Sequence, residues 1–168
     1  MREAVGHVFI VNLILVFFAV ISALLIGSLA YSKAFRVRNR IVYVIEKHGS
    51  WNVTQLAEGG VTINIVRNEI EHGLREIGYH MNLWNAQCPR RRDKGGWARL
   101  VYGNDGSDNI IALDSPYDFC VHEFQGGRYY GVTTFMHFNV PLIGGFLRFP
   151  VYGQTKPLLN LNMPELRN

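Results

Sequence analysis

Residues 8–32 carry no charged side chain, and Val, Ile, Leu, Phe and Ala fill most of the run. A helix rises 1.5 Å per residue, so roughly 20 apolar residues cross the hydrocarbon core of a bilayer. This run meets that length with a turn or two to spare. Its polar residues Asn12, Ser22 and Ser28 are uncharged and can bond along a helix or to a neighbour. The expected element is a transmembrane helix. A cleaved signal peptide fits less well: the leading Met-Arg-Glu-Ala is barely basic, the run exceeds the roughly 7–15 residues of an h-region, and no A-x-A site closes it.

The chain of 168 residues has room for that anchor and one compact domain. The expected division is a tail at 1–7, the transmembrane helix at 8–32, an amphipathic stem at 33–49, an α+β head at 50–156 and a C-terminal tail at 157–168. A formal net charge of +4 would ordinarily raise nucleic acid as a partner. The distribution argues against it. The cations gather beside the membrane run (Lys33, Arg36, Arg38, Arg40) and in a Gly-containing loop (Arg90, Arg91, Arg92, Lys94), with no recognition helix or aromatic platform. The first group reads as a membrane flank that can meet anionic headgroups; the second reads as a basic surface loop.

Past the anchor the helix is expected to continue. Ala34, Val37, Ile41, Val44, Ile45 and His48 keep a 3.6-residue period, Arg36, Arg38, Arg40 and Lys47 take other faces, and Gly49 supplies a stop. Inside the anchor, Ala19, Ala23 and Gly27 recur every four residues, the small-xxx-small spacing that lets membrane helices approach closely. Residues 50–60 read as a loop. A second helix follows with Thr62 as its expected N-cap, Ile63, Val66, Ile70, Leu74 and Ile77 on one stripe, and Gly78 at its end. No period marks residues 79–96. Strand texture begins at 97–102, with a turn at 104–108 and a second short strand at 109–113. A hairpin at 117–124 and 128–140 turns on Gln125-Gly126-Gly127, and a last strand lies near 146–153. Helices followed by strands imply an α+β fold with an antiparallel sheet.

Motifs for chemistry do not emerge. His72, His80, His122 and His137 lack metal-ligand spacing, and neither G-x-S-x-G nor a P-loop is present. Asp114 and Asp118 flank Ser-Pro-Tyr as turn residues do. No cofactor, metal site, catalytic residue or small-molecule substrate is expected. The two cysteines, Cys88 and Cys120, form no C-x-x-C motif. On the residues alone they are either free thiols in a reducing compartment or one disulfide in an oxidising one.

The layout of uncleaved N-terminal membrane helix, amphipathic stem and small β-rich head resembles the pilin-like and pseudopilin-like proteins, especially the TadE-like minor pilins of Gram-positive tight-adherence systems. The phrases that carry the resemblance include Phe35-Arg36-Val37-Arg38-Asn39-Arg40-Ile41-Val42, Tyr117-Asp118-Phe119-Cys120-Val121, Val132-Thr133-Thr134-Phe135-Met136 and Phe149-Pro150-Val151-Tyr152-Gly153. The resemblance implies a structural subunit whose partners are membrane lipid and other pilin-like helices, or a second copy. It also implies a head outside the cell, where Cys88 and Cys120 would pair. The chain departs from pilins in lacking a Glu at the fifth position after a processing site: Glu3 precedes the apolar run. That favours a minor or accessory component. The cations after the anchor, by the positive-inside rule alone, favour a cytoplasmic head. A membrane-tethered binding domain reading an anionic surface through residues 89–97 is the alternative.

Overall fold

The computed structural model describes residues 2–79, 87–103, 118–140 and 145–158, with side chains described for 7–79, 87–103, 118–136 and 149–158. The architecture is α+β. One α-helix, α1 (Arg2–His48), runs unbroken through the apolar segment and the stem. At 1.5 Å per residue it is about 70 Å long. Its first residues, expected as a tail, are already helical. From Val8 to Leu29 its large apolar side chains stand exposed, and the helix is long and apolar enough to cross a membrane.

At Ala34 the exposure ends abruptly. Ala34, Val37, Ile41, Val44 and Ile45 are all essentially buried, at the period read from the sequence. Fully burying a Val or Ile side chain stabilises by roughly 1.5–3 kcal/mol, so this stripe alone supplies an energy comparable to the net stability of a small domain. The helix stops at Gly49, which takes φ +69°, a conformation that disfavours any residue with a Cβ.

Residues 50–60 are not a plain loop. Strand β1 (Thr54–Leu56) pairs antiparallel with β2 (Thr62–Asn64). Thr62 therefore lies in a strand, and Asn64 is the N-cap of α2 (Ile65–Ile77), its side chain accepting from the Arg67 N–H at 3.0 Å. The expected cap at Thr62 is thus displaced by two residues, because strand pairing runs through residue 64. Val66, Ile70 and Leu74 face the core as expected. Gly78 ends the helix at φ +66°, with Gly78 N–H donating to Arg75 and Tyr79 N–H to Leu74, the two bonds of a Schellman motif.

Two short strands, β3 (Arg92–Asp93) and β4 (Gly96–Trp97), pair with each other, so the basic loop is a small hairpin and the strand expected over 97–102 is broken at Ala98. The main sheet is an antiparallel meander in the order β5 (Arg99–Tyr102), β6 (Phe119–Phe124), β7 (Tyr129–Val140) and β8 (Gly145–Gln154). The turn and strand expected at 104–113, Asp114 and the tail after residue 158 lie outside the described residues.

One face of the sheet presents Phe119, Val121, Tyr130 and Val132 to α1 and α2. Tyr102 stacks on Phe119 with ring centroids 3.9 Å apart, and Trp51 closes edge-on against Tyr102 at 5.4 Å. The other face is covered by residues 87–98. There Cys88 and Cys120 form a disulfide with Cα atoms 5.9 Å apart, and Phe135 and Leu100 pack beside it. Gly103, at φ +113°, lies so close that an added Cβ would fall 2.4 Å from Cys88 Sγ.

Because Ile41 has no exposed surface, Ile41→Ala should destabilise the head by about 2–5 kcal/mol. Ile21→Ala, on the exposed half, should leave it unchanged. Chemical unfolding of the detergent-solubilised chain, followed by near-UV circular dichroism, measures both.

Candidate functional site

Four contacts set the direction of the sheet along the stem. Tyr130 Oη meets Ser50 Oγ at 3.2 Å, Lys156 N–H donates to Glu46 at 2.8 Å, Arg38 donates to the Tyr152 carbonyl at 3.0 Å, and Thr134 Oγ1 donates to the Ala34 carbonyl at 3.2 Å. Thus β7 runs down the stem toward the anchor and β8 returns. The β6–β7 turn lies at the far end, about 21 Å of helix from Ala34.

The cations expected at the membrane flank divide into two pairs. Lys33 and Arg36 are exposed. Arg38 and Arg40 turn into the head. Arg38 lies 4.0 Å over the Phe35 ring and crosses Gly153, where a Cβ would come within 2.5 Å of its Cδ. A glycine in a strand marking a close approach is the expected device. Arg40 sits on Gly73 of α2, and its buried Nε has no partner among the described residues. At the far end of the stem, Glu69 accepts from Lys47 at 2.8 Å and His48 at 2.7 Å. The His48 bond first, and then the Lys47 bond, hold the Glu69 carboxyl below its ordinary pKa.

The basic loop also divides. Arg90, Arg92 and Lys94 are exposed, whereas Arg91 is half-buried, lies 4.2 Å over the Tyr152 ring and reaches Thr133 Oγ1 at 3.5 Å. Asp93 pins the hairpin to the β6–β7 turn. It accepts from the Tyr129 hydroxyl, the main cause of its lowered pKa, and from the Lys94 N–H at 2.6 Å. Burial and that same bond push the Tyr129 hydroxyl up to about 12. Lys94 therefore sits at the end of the head remote from the anchor.

Between the hairpin and the sheet is an open cleft of about 250 Å³, lined by Cys88, Pro89, Arg90, Arg91, Trp97, Ala98, Leu100 and His122. Trp97 is two-thirds exposed at its rim, with Arg92 5.6 Å over the ring. His122 is buried; one ring nitrogen donates to the Pro89 carbonyl while Nδ1 has no partner among the described residues. Burial, and then the nearby Arg91 charge, depress its pKa to about 4 against the pull of the Pro89 bond. The ring is neutral near pH 7. Cys88 carries no thiol, because it is bridged. The cleft thus offers cations, an aromatic face and a neutral acceptor. Among the described residues no three His, Cys, Asp or Glu side chains gather for a metal.

Ala19, Ala23 and Gly27 share one face of the bare half of α1, away from both groups of cations. Sequence reasoning missed Tyr79. Its hydroxyl donates to the Asp118 carbonyl at 2.7 Å and accepts from the Phe135 N–H at 3.3 Å, closing the β6–β7 ladder where strand pairing ends. The signal available was a large amphipathic residue directly after the helix-ending Gly78. No family model matches the chain, and neither does any curated protein or solved structure.

A histidine with pKa about 4 in the fold and about 6.5 unfolded binds fewer protons when folded across that interval. Its contribution to stability is complete above about pH 6.5 and is lost as pH falls toward 4. The melting temperature should therefore begin to fall near pH 6.5, above the range of ordinary carboxylates, and His122→Gln should flatten that early part. Separately, Cys120→Ser should cost roughly 2–5 kcal/mol in the same melts, matched by the wild-type protein under reduction.

Proposed function

We propose that this chain is a pilin-like structural component, held in a membrane by the first half of α1 and displaying its head on the outer side. One observation carries the reading: a single unbroken helix is bare and apolar in its first half, and in its second half forms the core of a β-meander head. Such a helix joins head to membrane with no flexible linker. The Cys88–Cys120 bridge supports an oxidising side for the head. The role needs no catalytic step. The helix offers the Ala19, Ala23 and Gly27 face to other pilin-like helices or a second copy. The missing Glu at the fifth mature position favours a minor or accessory component over a bulk subunit.

A second reading is favoured by the cleft under Trp97 and by the remote position of Arg92 and Lys94: a membrane-tethered domain that binds an anionic surface with its far end. The two readings differ at the anchor. Assembly through helices needs the small-residue face; tethered binding needs only an apolar span.

The intact chain should stay with native membranes through alkaline carbonate washing, and its two cysteines should resist alkylation until reduced. A soluble product beginning near Tyr31, or two thiols reactive without reductant, would contradict anchor and orientation respectively. Gly27→Leu should lower helix–helix association in a membrane reporter assay several-fold, with Leu24→Ile close to wild type. Equal effects would leave only the tethered reading.

A further inference from the structure

We infer that the cleft between the β3–β4 hairpin and the main sheet binds a peptide chain end: an apolar C-terminal residue held by its free carboxylate, its backbone N–H and its side chain. The site is the one the tethered-binding reading uses, on which this rests; what is new is the ligand.

Charge sets the first requirement. Arg90 and Arg91 line the cleft, and no Asp or Glu does. Lys47, Arg67 and Arg99 each meet a carboxylate elsewhere in the head. Arg91 meets none among the described residues, although it is half-buried; it lies over the Tyr152 ring and reaches the Thr133 hydroxyl. Its buried Nε has no hydrogen-bond partner there either. A cation drawn out of water is costly until something answers it, and a carboxylate answers a guanidinium with two oxygens at once.

His122 sets the second. Its ring also lines the cleft and is only 2% exposed. The neutral ring donates one N–H to the Pro89 carbonyl, so the other nitrogen, Nδ1, presents a lone pair, which has no partner among the described residues. A ligand bringing only carboxylate oxygens would leave that acceptor facing another acceptor. An amide N–H answers it.

Size and apolar lining set the third. Pro89, Trp97, Ala98 and Leu100 make most of the remaining wall. A cavity of about 150 Å³ holds benzene, so the cleft's volume of about 250 Å³ has room for one ring and a few backbone atoms. Trp97, two-thirds exposed at the rim, offers a flat face to a side chain entering from solvent. Carboxylate, amide N–H and one apolar side chain, all joined to a single Cα, are what the last residue of a peptide carries. Terminal carboxylates are captured in this manner by other peptide-binding domains. A free amino acid fits worse, because its ammonium group would meet the two arginines.

The test uses the full chain in phosphatidylcholine nanodiscs, bridge intact, with dye-labelled Gly-Gly-Gly-Phe followed by fluorescence anisotropy. Binding should be saturable. Amidating the C-terminus should weaken it roughly tenfold or more, and replacing the terminal Phe by Gly, or methylating the last peptide nitrogen, several-fold. Arg91→Gln should make the free and amidated peptides bind alike. Arg90→Gln and Trp97→Ala alter exposed side chains; each should weaken binding several-fold at unchanged melting temperature, which keeps the test valid if Arg91→Gln disturbs the hairpin. Equal affinity of free and amidated peptide for the wild-type chain would overturn the inference. Retention of that chain on polyglutamate beads, lost in Arg92→Gln with Lys94→Gln, would show that the tethered-binding reading survives that failure. If neither peptide nor polyglutamate is held, reading and inference fail together. Indifference to N-methylation would overturn the part assigned to His122.

Discussion

Burial of one stripe of α1, from Ala34 to Ile45, against the sheet is the contact on which the rest of the molecule depends. A four-stranded meander with an apolar face needs a cover, and α2 with 13 residues is too short to supply it alone. The stem of α1 supplies it, and α2 packs on the stem, with Val66, Ile70 and Leu74 in the same core as Val44 and Ile45. Trp51 and Tyr102 then complete an aromatic wall over Phe119. The second face of the sheet could not be left open, because Cys120, His122, Thr133 and Phe135 lie there and are all buried. The 87–98 segment covers it, and the bridge holds that segment in place. A domain of roughly a hundred residues buries a limited fraction of its surface, so a covalent tie on the less apolar face compensates where packing is thinnest.

Polar groups follow the same division. Where the stem meets the sheet edge, Arg38 and Lys156 hydrogen-bond across, one to a carbonyl and one to the Glu46 carboxylate. Where α1 ends, Lys47 and His48 lie at the negative end of the helix dipole and both reach Glu69. These pairs are partly exposed, so each contributes little by itself. Their effect is on register: the Arg38 and Glu46 bonds fix how far α1 has slid along the sheet, and the Glu69 pairs fix α2 against the end of α1, which apolar stripes alone leave loosely defined.

The helices and the main hairpin were legible in the sequence because each rests on a local pattern. The period of Val37, Ile41, Val44 and Ile45, the αL-prone Gly49 and Gly78, and the Gln125-Gly126-Gly127 turn all act within a few residues. The α+β class follows from their order. The misses are non-local. Asn64 displaces Thr62 as the cap because β1 pairs through residue 64. Arg38, Arg40 and Arg91 read as solvated cations, yet each is seated on an element distant in sequence: β8, α2 and the β7–β8 pair. Glycines at 73 and 153, which open those seats, gave no signal on their own. The cleft at His122 was equally invisible, since its lining comes from three strands and the covering segment.

The unbroken passage of α1 from bare span to core has a mechanical meaning. A pull between the apolar half of α1 and the head runs along the axis of a helix that is unbroken between the two. The stem and the sheet strands lie side by side along that axis, so tension loads their contact in shear. Many buried side chains and the Arg38 and Glu46 bonds must then yield together, whereas peeling would break them singly. The covering segment and its disulfide lie off this line, on the far face of the sheet. Tension therefore leaves the bridge slack, and rupture strength resides in the non-covalent seam between helix and strands.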